Sequence, residues 1–124
     1  MKHLNSVCIV SSDVPRLREF YEDVLQTEAQ GEDSLVEFPR SGLGLTLYSS
    51  AGMEGMAPGS AQGAGYGGVV LEFEVTDVDA EYDRLLQRGV PIVKPPTTQS
   101  WGLRSVWFRD PMGNIVNFFA PVQR

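Results

Sequence analysis

The 124 residues suit one domain, and folding at this length buries roughly two-thirds of the unfolded surface, so no disulfide or metal staple is required. With 42% hydrophobic and 21% charged residues the chain is not a disordered one. A net charge of −6 with scattered Lys and Arg excludes nucleic acid and acidic membrane surfaces as partners; it serves solubility first and is compatible with a cationic ligand.

Val7 to Val10 is β-branched and apolar and predicts a strand. Cys8, the one cysteine, lies in this run and reads as a small core residue, with no internal disulfide open to it. Asp13 is an N-cap, and Pro15 is tolerated in a first helical turn. Val14, Leu17, Phe20, Tyr21, Val24 and Leu25 then recur at helical spacing, which predicts a helix over 14–25. Strands are expected over 35–38 and 43–48, around the turn Pro39-Arg40-Ser41-Gly42, with a further short strand at 27–30.

Ser49 to Gly68 is rich in Gly, Ala, Ser and Met and reads as a linker, its core at 51–67. Met53 and Met56 there form either an adaptable apolar lid or an ordinary loop. The order then repeats. A strand is expected over 69–75. A helix follows, capped by Asp77, carrying Val78, Tyr82, Leu85 and Leu86, and ended by Gly89. Val90 to Val93 reads as a short edge strand because of Pro91, and 103–109 and 114–119 as a hairpin around Asp110-Pro111-Met112-Gly113. Asp13-Val14 and Asp77-Val78 stand 64 residues apart, near half the chain length. The chain therefore reads as two copies of one unit, 1–50 and 68–124, whose sheets are expected to close around a shared cavity.

Several motifs stand in a telling order. They are Asp13-Val14, Phe20-Tyr21 and Val24-Leu25 in the first half. In the second half they are Phe73-Glu74-Val75, Asp77-Val78-Asp79, Pro95-Pro96, Trp101-Gly102-Leu103-Arg104 and Asp110 to Asn114. In this the chain resembles the vicinal oxygen chelate superfamily, which holds glyoxalases, bleomycin resistance proteins and dioxygenases. The resemblance implies an α+β fold of two βαβββ modules forming a curved mixed sheet around a cavity. It does not choose among lyase, isomerase, dioxygenase and plain binding protein.

In metal-dependent members the ligands sit on the first and last strands of each module. Here the matching positions hold Ser6, Thr46, Val70 and Asn117. A shift of one residue puts Leu45 or Leu47 in place of Thr46 and restores no ligand. Catalytic divalent sites use imidazole, carboxylate or thiolate, so no metal and no cofactor is expected. The single histidine, His3, lies three residues before Ser6, on the opposite strand face, and reads as a solvated terminal residue.

Strand alternation turns Ser6 and Cys8, Thr46 and Tyr48, Glu72, and Asn117 and Phe119 toward the cavity. Trp101 is either a stacking platform for a planar or cationic ligand or an apolar anchor for its loop, and Arg104 lies near the cavity mouth. Trp107 reads as core. Glu72 either pairs with Arg104 or backbone donors, binds a ligand amine, or acts as a general base. Metal-independent binding of a small cationic or aromatic ligand is the first functional expectation. A lyase or isomerase using Glu72 is the alternative. Likeness to the bleomycin-resistance branch implies a homodimer. The residues Met1 to Asn5 show no signal-peptide pattern and no apolar run nears the ~20 residues of a membrane span, so the expected location is the cytoplasm.

Overall fold

The computed structural model describes residues 4–62 and 69–122, so His3 and residues 63–67 of the expected linker lie outside the described residues. The chain divides into two units, residues 1–66 and 67–124. In the first, β1 (Ser6–Ser11) leads into α1 (Val14–Leu25), followed by β2 (Gln30–Glu32), β3 (Leu35–Glu37), β4 (Gly44–Ser49) and α2 (Ser50–Met56). In the second, β5 (Val70–Glu74) leads into α3 (Val78–Gln87), then β6 (Ile92–Thr98), β7 (Leu103–Arg109) and β8 (Ile115–Pro121). Each unit forms a four-stranded sheet, ordered β1-β4-β3-β2 and β5-β8-β7-β6. The first strand pairs in parallel with the last of its unit, and the remaining pairs are antiparallel. Both sheets are thus mixed, and each unit is a βαβββ module.

The two principal helices start in the same way. Asp13 accepts the Arg16 N–H at 3.2 Å, and Asp77 accepts the Ala80 N–H at 3.1 Å, so each carboxylate satisfies one orphan donor of its first turn. Val14, Leu17, Tyr21 and Val24 are the buried stripe of α1. Ile9, Val36 and Leu47 are the buried positions of the sheet beside it, and Tyr21 meets Phe38 edge-on with centroids 6.4 Å apart. In the second unit Leu85 of α3 is buried, and Phe118 meets both Phe108, at 4.9 Å, and Phe73, at 5.9 Å.

A charged clasp ties α1 to the strand that follows it. Glu22 accepts the Ala29 N–H at 2.9 Å, while Arg18 donates to Glu22 at 3.3 Å and to the carbonyls of Ala29 and Gly31 at 2.7 and 3.1 Å. The β7–β8 turn is also closed by side chains. Buried Asp110 accepts from Met112 N, Asn114 N and Asn114 Nδ2, each at 2.9 Å. Gly113 takes φ +88° at this turn, a conformation that costs glycine no Cβ clash.

Three expectations change in detail. The short strand expected at 27–30 falls at Gln30–Glu32 instead. The linker opens with α2, whose first turn is capped by Ser49 Oγ accepting from Gly52 N at 2.9 Å. Ala51, Met53, Glu54 and Met56 sustain that helix against the glycines between them. The strand expected at 90–93 runs on to Thr98 through Pro95 and Pro96. It can do so because β6 is an edge strand, where the missing N–H groups break no ladder bond, and its pairing with β7 shifts register twice.

Asp77→Ala should lower stability by about 1 kcal/mol through loss of its cap, measured by urea unfolding. The Ala29 N–H, aided by Arg18 and opposed by partial burial, holds the Glu22 carboxyl below its usual value of 4.5. Its ionised form is therefore favoured by folding. That contribution is complete above the unfolded value and is lost as pH falls through the lower folded one. Glu22→Gln should accordingly show a shallower fall in stability than the wild type below about pH 4.5, read from unfolding midpoints across an acid series.

Candidate functional site

One face of each sheet lies against its helix, and register defines what the other face carries. In the first unit Cys8 stands opposite Thr46, and Val10 opposite Tyr48. Glu37 stands opposite Thr46 on its other side, and Leu35 opposite Tyr48. Direct cross-strand partners share a face, so Ser6, Cys8, Thr46 and Tyr48 lie together on the face turned away from α1. This corrects the reading of Cys8 as core. The thiol is exposed because it is Ile9, one residue on, that points to the helix side.

In the second unit Glu72 is the parallel partner of Asn117, and Trp107 is the antiparallel partner of Asn117. Phe119 follows on the same face, opposite Glu74 and Ser105. Asn117 retains 6% of its exposure, and its Nδ2 donates to Glu72 Oε2 at 3.0 Å. That bond orients the amide, since the reverse orientation would set Oδ1 against the carboxylate. Asn117 Oδ1 is buried and has no hydrogen-bond partner among the described residues. Such a group costs about 1–3 kcal/mol unless something donates to it. Glu72 itself is exposed. Trp107, read as core from its apolar neighbours, is half-buried and belongs to this face. Alternation from Asn117 across the hairpin would have found it.

Arg104 falls on the opposite face, as the register partner of Ala120. It donates to both oxygens of Asp79 on α3, at 2.8 and 2.9 Å, and to Thr98 Oγ1 at 3.0 Å. The guanidinium holds the Asp79 carboxyl below its usual range. Arg104 is thus Asp79's partner, and it is Asn117 that satisfies Glu72. Trp101 stands off the sheet in the β6–β7 turn with 70% of its surface exposed.

The family model for the glyoxalase/bleomycin resistance protein/dioxygenase superfamily matches residues 3–118. The chain belongs to this superfamily. The uncharacterized protein YraH of Bacillus subtilis is 28% identical over 123 residues, covering 94% of this chain and 96% of that protein. Among solved structures, a glyoxalase/bleomycin resistance protein/dioxygenase family enzyme from Burkholderia phytofirmans superposes with a TM-score of 0.85 at 16% identity, covering 98% of this chain and all of that one. A family member from Nocardioides gives 0.83 at 22% identity, covering 99% of this chain and 85% of its own. These likenesses show the fold, which is that of the glyoxalase/bleomycin-resistance family.

The family's metal positions can be tested on the donors that this chain places there. Val70 offers none. Ser6 and Thr46 offer neutral hydroxyls, and Asn117 offers only the neutral oxygen of an amide whose nitrogen donates to Glu72. These do not fit a divalent ion that needs imidazole, carboxylate or thiolate. Among the described residues no three His, Cys, Asp or Glu side chains are grouped to hold one. The protein purified from cells and dialysed should therefore carry well under one equivalent of zinc, nickel, manganese or iron by elemental analysis, and its melting temperature should not move with a chelator.

Proposed function

We propose that this superfamily member binds a small cationic or aromatic molecule without the help of a metal, and that Glu72 is its anchor. The observation behind the reading is the Glu72–Asn117 pair, a carboxylate fixed by a buried amide whose Oδ1 has no donor among the described residues. An ammonium or amidinium supplies several N–H donors to such acceptors, and the charge-assisted bond to the carboxylate is the stronger kind. Phe119 and Trp107 on the same face supply the aromatic surface on which a flat or cationic group rests. The net charge of −6 favours approach of a cation. By likeness to the drug-sequestering branch of the family, the same reading includes a homodimer, which a sedimentation mass equal to one chain would exclude.

Thermal-shift titrations with benzamidine, phenethylammonium and benzyltrimethylammonium test it. A ligand selective for the native state should raise the melting temperature, by an amount equivalent to about 2.7 kcal/mol at a hundredfold excess over its dissociation constant. Glu72→Gln, at an exposed position, should keep the fold and lose roughly tenfold or more in affinity. Cationic aromatics that never shift the wild type, or that shift Glu72→Gln equally, would sink the proposal. Turnover of a small carbonyl compound that disappears in Glu72→Gln would replace it with the lyase or isomerase reading.

A further inference from the structure

We infer that the Glu72 site selects cations that bring at least two N–H donors, such as primary ammonium, amidinium and guanidinium groups, and rejects quaternary ammonium. The inference rests on the proposed role of Glu72 as the anchor. It adds a second acceptor, Asn117 Oδ1, which sorts the cations that charge alone would treat alike.

Asn117 Nδ2 donates to Glu72 Oε2 at 3.0 Å across the β5–β8 pairing. Oδ1 shares a carbon with that nitrogen, so amide bond lengths place it within about 5.5 Å of Glu72 Oε2. Two acceptors this close are within reach of two N–H groups on one small cation. Among the described residues, Asn117 Oδ1 is the one buried side-chain atom with no hydrogen-bond partner. A buried acceptor left in that state is costly, and an apolar side chain in its place would remove the cost. A donor carried in by a ligand removes it while keeping the bond that orients Glu72. Oδ1 is closed to water, so a side chain beside it yields as the donor enters. Half-buried Trp107 and Phe119 stand next to Asn117 on this face, one across the hairpin and one further along β8.

Donor count then decides the ligand class. A quaternary ammonium is attracted to the Glu72 carboxylate and to aromatic faces. It carries no N–H, so it fills the site and leaves Oδ1 unpaired. Sites built to hydrogen-bond a ligand reject the analogue that lacks the group far more strongly than sites that only bury surface.

Calorimetric titration of the full chain with phenethylammonium and its N-methyl, N,N-dimethyl and N,N,N-trimethyl derivatives tests the inference. Ring and charge stay constant while the N–H donors fall stepwise to none. The primary ammonium should bind about tenfold or more tightly than the trimethyl derivative, with the loss beginning where two donors become one. Asn117→Leu puts a branched apolar side chain in place of the amide and should shrink that preference about fivefold or more. Loosening of Glu72 in this variant weakens all four ligands alike, so the ratio reports on Oδ1. The series on the wild type decides by itself if Asn117→Leu does not fold. Equal binding of the primary and trimethyl cations, or an undiminished preference in Asn117→Leu, would overturn this inference and leave Glu72 as the anchor. Binding by none of the four would overturn both.

Discussion

One helix can cover only one face of a four-stranded sheet. Each unit of this chain has one helix of ten or more residues beside its sheet, so each sheet has one face committed to packing against that helix. Period-two alternation then sorts the side chains with little freedom. Ile9, Leu47, Val36, Val106, Phe108 and Phe118 go under the helices and are buried. Ser6, Thr46, Glu37, Glu72 and Asn117 go to the other side. Polar residues in mid-strand are costly in the core under α1 and α3, and these positions are turned away from it.

Glu72 and Glu37 illustrate two ways in which such a face handles charge. Glu72 has a neighbour one strand away whose amide fixes one of its oxygens. Glu37 stands between a hydroxyl residue and an amide residue, Thr46 and Gln30, and among the described residues it has no ion pair. Arg104 shows the contrast on the packed side. There the guanidinium closes on both oxygens of Asp79 and on Thr98, so its charge is already matched by a carboxylate of the same unit.

Much of the fold was legible in the residues. Asp13 and Asp77 carry a physical mechanism, a carboxylate that satisfies orphan N–H groups, and the 3.6-residue stripe of α1 predicts its bounds at Val14 and Leu25. Helix α2 was hidden because two glycines mask its periodicity and the one clear signal, the Ser49 cap, stands inside a strand end. The reach of β6 was hidden because Pro95 and Pro96 read as strand breakers until the strand is known to lie at an edge. Of the site, alternation along each strand was sufficient to group Ser6 with Cys8 and Thr46 with Tyr48. Pairings across strands were not. Register sets Asn117 beside Glu72, and no local pattern encodes register between residues 45 apart, whereas Trp107 stands only a hairpin away from Asn117. Arg40 reads only as a turn residue until Asn5 and Gly44 are brought under its guanidinium.

The irregular outer strand of the second sheet has a consequence for life in a crowded cell. Exposed strand edges invite other chains to add on, the first step toward fibrils. Pro95 and Pro96 leave that strand short of two N–H donors, and the register shifts between Ile92, Lys94 and Thr97 bend it out of a straight template. The same residues that disguise the strand on the page guard this border of the molecule against self-templated growth.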